Sequence, residues 1–207
     1  MKKYKREQAL EVVKSGYDRL GNLYSAERDK FDNRKEIGVF TSKLPVSGRV
    51  LDAGCGTGIP VARHLVQMGI EVMGIDFSKT MVASARENVP GATFKQMNMA
   101  EIDLTPESFD GVISTYAIIH IPREKHARIF RSFHSILKPR GVMLVSVASW
   151  AWEEFADYMG VDMFWSHFDP DRTRSLIIEA GFNIEFGRDV ETGGEKHHWV
   201  LAHKGPV

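Results

Sequence analysis

Apolar residues along the chain change period several times, and each change marks an element. Leu10, Val13, Tyr17, Leu20 and Tyr24 recur at three- and four-residue steps, the spacing of one helix face. Gly38 and Pro45 punctuate the run that follows, so residues 1–45 read as an N-terminal helical cap with little strand character. From Arg49 the period shortens. Arg49-Val50-Leu51-Asp52 is a compact apolar run that enters Gly54-Cys55-Gly56-Thr57-Gly58, the pattern of a buried strand ending in a glycine turn. Pro60 stands where a helix's first turn tolerates it, Val61, Ala62, Leu65 and Val66 carry the helical period, and Gly69 closes the helix.

The alternation then repeats. Glu71–Asp76 is a second strand, and Ser78 caps a helix running to about Asn88. Ala92–Met97 is a third strand and Phe109–Thr115 a fourth. A helix from about Arg123 to Leu137 leads through a turn at Lys138-Pro139-Arg140-Gly141 into a fifth strand, Val142–Val147, apolar on both faces. Ser175–Ala180 lies in a further helix, closed by Gly181, and Phe182–Phe186 and Trp199–Ala202 are two short strands that could pair as a hairpin at one edge. Strands alternating with helices imply a parallel sheet covered on both faces. The predicted fold is therefore α/β: a doubly wound, Rossmann-like, seven-stranded and mostly parallel sheet with an N-terminal helical cap. It forms a single domain divided into the cap (1–45), a cofactor-binding core (46–148), an aromatic insertion (149–169) and a C-terminal helix with strands (170–207).

The insertion fits neither period. It carries Trp150, Trp152, Phe155, Tyr158, Phe164, Trp165 and Phe168 just past the carboxyl end of strand five, where ligands of open α/β sheets bind. It reads either as a lid or as an extra helix packed on the core.

Composition narrows the function. The chain has 27 Lys+Arg and 27 Asp+Glu, a formal charge of zero, so no bulk basic field exists to grip nucleic acid or an anionic membrane. The single cysteine, Cys55, cannot form an internal disulfide, which suits a reducing compartment. No apolar run approaches the ~20 residues of a membrane span, and the basic start is followed by charge rather than an apolar core, so the expected location is cytoplasmic. His197 and His198 point to opposite faces of a strand, and His167-x-Asp169 lacks partners, so no metal site is expected.

The most informative pair is the glycine turn and Asp76, 22 residues beyond Gly54 at the end of strand two. A carboxylate there can accept hydrogen bonds from both hydroxyls of a ribose, which specifies an adenosine-like ligand across the strand ends. A nicotinamide dinucleotide would need G-x-G-x-x-G, but the third-glycine position is Ile59, and no Walker lysine pattern occurs. A ligand without phosphates is preferred, which favours S-adenosylmethionine.

Here the chain resembles a known family. Val50–Gly58 is similar to the first motif of class I S-adenosylmethionine-dependent methyltransferases, and Gly74-Ile75-Asp76-Phe77-Ser78 to their second. Phe109–Ser114, Leu137–Val142 and Ala180-Gly181-Phe182 resemble the strand-four, strand-five and C-terminal junction segments, so the likeness spans roughly residues 46–204. The resemblance implies that Gly54 and Gly56 contact the methionine part of the cofactor and that Asp52 sits near its amino group. It further implies that Asp76 takes the ribose hydroxyls, that Phe77 packs on adenine, and that Asn98 and Met99 border it; Met81, one helical turn after Asp76, is placed either to cover the adenine or to serve the core. Tyr116 would lie beside the methionine moiety. Many members carry aspartate where this chain has Asn98; the amide oxygen still accepts a hydrogen bond but adds no charge. Related small-molecule methyltransferases often bring an N-terminal tyrosine over the cofactor, and Tyr17, which shares a cap-helix face with Tyr24, is the candidate, with core packing as the alternative.

His120, after strand four on the ligand side, is the candidate general base; a loop-shaping histidine is the plainer alternative. The expected activity is methyl transfer to a small-molecule acceptor. A catalytically silent cofactor-binding regulator and a nicotinamide oxidoreductase are the competing readings.

Overall fold

The computed structural model describes residues 4–21, 23 and 31–205. Tyr24 lies outside the described residues, as do Met1, Lys2 and Lys3 of the basic start. The cap contributes α1 (Ala9–Leu20) and α2 (Arg34–Thr41). The core then runs β1 (Arg49–Ala53), α3 (Val61–Gln67), β2 (Glu71–Asp76), α4 (Lys79–Asn88), β3 (Thr93–Gln96), β4 (Phe109–Ser114), α5 (His126–Ile136) and β5 (Leu137–Ala148). Two strands, β6 (Trp152–Tyr158) and β7 (Val161–His167), precede α6 (Pro170–Glu179), and β8 (Phe182–Thr192) and β9 (Glu195–Lys204) close the chain.

Seven strands form one sheet in the order β3-β2-β1-β4-β5-β9-β8. The first five are parallel, and β9 pairs antiparallel with both β5 and β8. This is the expected mixed edge. Residues alternate between two cores. Val50, Val72, Ile113, Leu144 and Trp199 pack with α2, α3 and α4 on one face, while Leu51, Met73, Val112, Met143 and Val200 pack with α5 and α6 on the other. Strand order reverses between β1 and β4, so the crevice beyond their carboxyl ends is the ligand position the topology provides.

Several sequence expectations need correction. Gly38 does not end an element; it lies inside α2. Pro60 precedes α3 as its N-cap. Lys138–Gly141 does not separate α5 from β5: pairing starts at Leu137↔Phe109, shifts register, and resumes at Val142↔Gly111, so the four residues bulge within the strand. Lys138 is tied to Asp110 at 2.9 Å. The last two strands are longer than their apolar centres, because polar residues continue each ladder beyond the core.

The aromatic insertion is neither helix nor open loop. β6 and β7 form an antiparallel hairpin with register Tyr158↔Val161. Met159 (φ 55) and Gly160 (φ 80) make the two-residue connection, the backbone signature of a primed turn. β7 packs on α1, where Gly16 permits the approach: a Cβ there would stand 2.8 Å from the Met163 sulfur. Val13, Tyr17, Leu20, Val161, Met163 and Phe164 form a third small core with Met81 of α4. The cap helix and hairpin thus roof the carboxyl ends of the parallel strands.

Candidate active site

β1 delivers Asp52 to the sheet's ligand end and hands the chain to a turn in which Gly54, Gly56 and Gly58 all have positive φ. Glycine is required at Gly54 for a second reason. A Cβ there would lie 2.3 Å from the Ala117 Cβ and 2.9 Å from the Met99 methyl. Gly54→Ala therefore combines a left-handed backbone with overpacking. A stability loss of about 1–3 kcal/mol is expected, read as a lower melting temperature with cofactor affinity lost.

The turn is anchored to β2. The Gly54 and Cys55 amides donate to the Ile75 carbonyl at 2.8 and 3.0 Å. The Gly56 amide donates to Asp76 Oδ2 at 3.0 Å, and the Ser78 amide to Oδ1 at 2.9 Å. The Asp76 carboxylate thus faces the glycine turn. Each of its oxygens keeps a second acceptor position. Burial pushes its pKa up to about 6, against the pull of the Ser78 and Gly56 amides. Ser78 caps α4 by accepting from the Met81 amide, as its position predicts, and its hydroxyl meets Asp18 of α1.

Asp52 is 1 % exposed and Oδ2 has no hydrogen-bond partner among the described residues. Burial, with the neighbouring Asp76 charge, pushes its pKa up to about 8. An orphaned acidic oxygen beside Gly54 suits a cationic donor such as the amino group of a methionine moiety. Burial, helped by Asp52 and Asp76, raises the Cys55 thiol well above its ordinary value, so it remains a small neutral filler.

One cavity gathers Tyr17, Gly54, Gly56, Asp76, Phe77, Met81, Asn98, Met99, Tyr116 and His120. Asp52 lies in an adjoining cavity that shares Gly54, Gly56, Thr115 and Tyr116. Asn98 Oδ1 accepts from the Ala100 amide at 3.0 Å, so this side chain caps its turn. Its carbonyl oxygen retains one acceptor position. Tyr116 adopts φ 57; its amide is held by Ser146 Oγ at 2.7 Å, and its hydroxyl donates to Asn33 at 2.7 Å. A non-glycine residue in that region marks a constrained site.

His120 is 4 % exposed and sits in a defined tautomer. Nδ1 lies 2.9 Å from the Phe164 carbonyl, which can only accept, so Nδ1 carries the proton. Nε2 then accepts from the Tyr17 hydroxyl at 2.8 Å. Nothing in the local sequence announces Asn33, Asp18 or Phe164, because their roles arise from the roof folding over the sheet. The other histidines lie elsewhere. His198 Nδ1 is 2.7 Å from Asp189, the His197 ring lies edge-on to Tyr116, and His167 Nδ1 is 2.6 Å from the Trp150 carbonyl. Asp169 caps α6.

A doubly wound sheet, a glycine turn and an acidic second strand together define a binder of adenosine-containing ligands. Comparison with known proteins makes the class specific. The methyltransferase domain family matches residues 50–141. YqeM of Bacillus subtilis (strain 168), which bears a methyltransferase name, is 30% identical over 169 residues, covering 75% of this chain and 68% of that protein. Phosphoethanolamine N-methyltransferase 1 of Triticum aestivum is 31% identical over 183 residues, covering 84% of this chain but 36% of the longer plant protein. Among solved structures, 1,6-didemethyltoxoflavin-N1-methyltransferase of Burkholderia thailandensis superposes with a TM-score of 0.79 at 18% identity, covering 98% of this chain and 91% of that one. The [4+2]-cyclase SpnF also superposes, with a TM-score of 0.72 at 16% identity over 92% of this chain and 94% of its own, so likeness at this distance shows the fold alone.

The chain belongs to the class I S-adenosylmethionine-dependent methyltransferases. It is an enzyme, and S-adenosylmethionine is its methyl donor. The nicotinamide and regulatory readings give way on this point. Among the described residues no helix is long and apolar enough to cross a membrane.

Proposed function

We propose that the acceptor is a small molecule and that the residues gathered in the cavity hold the roles their positions suggest. The observation that carries this reading is the Asp76 carboxylate, fixed toward the Gly54–Gly56 turn in a cavity whose far end is closed by buried Tyr17 and His120. Asp76 takes the ribose hydroxyls. Phe77, Met81 and Met99 enclose the adenine, and Asn98 offers its edge one acceptor. Asp52 takes the amino group, and the backbone of Gly54 and Gly56 lies along the methionine. A transfer end roofed by α1 and the hairpin suits a compact acceptor better than a macromolecular one. One relative is named for acting on a small nitrogen compound, phosphoethanolamine.

S-adenosylmethionine supplies an electrophilic methyl carbon on a sulfonium whose sulfur leaves as a neutral thioether. The protein supplies alignment and exclusion of water, which together can lower a barrier by roughly 7–11 kcal/mol. Proton removal falls to Tyr17 and His120. Because Tyr17 already donates to Nε2, the acceptor's proton passes to the Tyr17 oxygen as Tyr17 passes its own to Nε2. The Phe164 carbonyl stabilises the imidazolium that forms.

Calorimetry should show heat with S-adenosylhomocysteine and none with NAD. Incubation with methyl-labelled cofactor and a metabolite extract should place label in the small-molecule fraction. Label confined to protein or nucleic acid would overturn the small-acceptor assignment. With the acceptor so identified, Tyr17→Phe should slow turnover by about 10²-fold. Its S-adenosylhomocysteine affinity should stay near that of the wild type. An equal loss of both would make Tyr17 a cofactor cover only.

A further inference from the structure

The methionine end of S-adenosylmethionine carries an ammonium and a carboxylate on the same carbon, so the cavity that takes the first must also take the second. Asp52 answers the ammonium alone. The carboxylate needs donors within the same cavity, because an unpaired buried charge is costly. Among the described residues lining the Asp52 cavity there is no lysine, arginine or histidine. Its polar side chains besides Asp52 are Asn33, Cys55, Thr115 and Tyr116. The Cys55 sulfur lies 3.7 Å from the Gly56 carbonyl, and the Tyr116 hydroxyl donates to Asn33. Asn33 and Thr115 remain as donors.

Asn33 is the less expected of the two. It stands in the cap, ahead of the segment the family matches, at the N-cap of α2. Asparagine at that position ordinarily turns its side chain onto the free amides of the helix. Here it makes no cap bond, and Asp32 accepts from the Arg34 amide instead, at 3.1 Å. Asn33 is 4 % exposed, and its Oδ1 accepts from the Tyr116 hydroxyl at 2.7 Å, which fixes the orientation of the amide. Nδ2, the donor end, has no bond to any described residue. A residue suited to capping has thus left its helix, and its free donor lines the cavity that holds the orphaned oxygen of Asp52. Asn33 also lines an adjoining groove with Arg34 and Arg63. There Arg34 is balanced by Asp32, whereas Arg63 stands in no ion pair among the described residues. The positive side of the cavity is therefore the side of Asn33, and the negative side is that of Asp52.

We infer that Asn33 is a cofactor-binding residue whose Nδ2 donates to the methionine carboxylate, with the Thr115 hydroxyl as the second donor, while Asp52 holds the ammonium of the same amino acid. The inference rests on the cofactor placement proposed above and extends it to the cap. A neutral donor suits the position. A lysine or arginine there would pair with Asp52 and compete with the ammonium, whereas an amide leaves that carboxyl without a partner until the cofactor brings its own cation. The arrangement also joins two parts of the molecule. The amide that fixes the hydroxyl of Tyr116, a residue of positive φ just past β4, holds the tail of the cofactor with its other end. Binding the carboxylate thereby ties the cap to the sheet.

The test titrates the full chain by calorimetry with three ligands: S-adenosylhomocysteine, its decarboxylated form, and methylthioadenosine, which ends before the amino acid. The wild type should prefer S-adenosylhomocysteine over the decarboxylated form by about tenfold or more. Asn33→Ala should remove most of that preference. Asn33→Asp, which keeps an acceptor for the Tyr116 hydroxyl but replaces the donor with a like charge, should invert it. Methylthioadenosine should bind all three chains alike. A preference that survives in Asn33→Ala and Asn33→Asp overturns the inference. So does a loss that falls equally on all three ligands, which would make Asn33 a support for Tyr116 and nothing more. Asp76→Ala is titrated with methylthioadenosine in parallel. If that variant loses the ligand while Asn33 leaves the preference unmoved, this inference falls alone. If it binds as well as the wild type, the ribose lies elsewhere and the placement beneath falls too.

Discussion

Asp76→Ala is expected to weaken S-adenosylhomocysteine binding by about 10²–10⁴-fold. Hydrogen bonds to a charged acceptor contribute about 1.5–3 kcal/mol each, and two ribose hydroxyls would lose theirs together. The variant also releases the Gly56 and Ser78 amides, which hold the glycine turn and the start of α4 against the carboxylate. Part of the loss therefore belongs to the turn rather than to the ribose. Asp76→Asn separates the two contributions, because the amide can still accept one backbone bond while lacking the charge. Its binding should fall by about 10–10²-fold, with a melting temperature closer to wild type than that of Asp76→Ala. Calorimetry on both variants checks this. Near wild-type affinity in Asp76→Ala would place the ribose elsewhere.

The core was legible because its signals are local. Buried parallel strands are short apolar runs, and the turn glycines and Ser78 sit at fixed offsets from them. The order Gly54, Asp76, Asn98, Tyr116 follows from successive strands ending at one edge of one sheet. That is why residues from four separate loops reach a single cavity. The roof was not legible in the same way. The hairpin's aromatics are good strand formers, but its turn, Met159-Gly160, carries only one of the residues that favour positive φ. Aromatic density hid a period-two pattern that reads plainly once the turn is fixed.

Contacts between roof and sheet are harder still. The Tyr17–His120 bond joins positions 103 residues apart, and the Phe164 carbonyl that sets the tautomer is a backbone atom with no sequence signature. Asp18 meets Ser78, and Asn33 receives the Tyr116 hydroxyl, each across the same gap. The Tyr17 and Asp18 pairs depend on how α1 seats on β7, an approach that the absence of a side chain at Gly16 permits. A glycine within a helical period predicts lost helix propensity, not the surface it lets approach.

Asp52→Asn should make the unliganded protein more stable at alkaline pH while weakening its hold on the cofactor. The wild-type carboxyl rises from an ordinary value of 3.8 to about 8 in the folded chain, chiefly through burial and then through the Asp76 charge. A carboxyl raised on folding binds more protons folded than unfolded. Its favourable contribution is complete below the unfolded value and is lost as pH rises through the folded one. Between those limits this group alone lowers stability by about 1.4 kcal/mol per pH unit. Asp76 adds a slope of the same sign over the narrower range from 3.8 to about 6. Asparagine cannot ionise, so the Asp52 slope disappears. The difference in melting temperature between variant and wild type should therefore grow in the variant's favour from pH 5 to pH 8 and then level. Its pH dependence carries the prediction, because the amide and the neutral acid differ in hydrogen-bonding capacity at every pH. Cofactor binding should respond in the opposite sense. A cationic amino group beside Asp52 favours the ionised carboxylate, so wild-type binding near pH 7 should release a proton, seen as a heat that varies with the ionisation enthalpy of the buffer. Asp52→Asn should bind more weakly and lose the part of that release due to Asp52. A melting difference that stays flat across the pH range would mean that Asp52 is already ionised in the free protein. Its orphaned oxygen would then have a partner other than the cofactor.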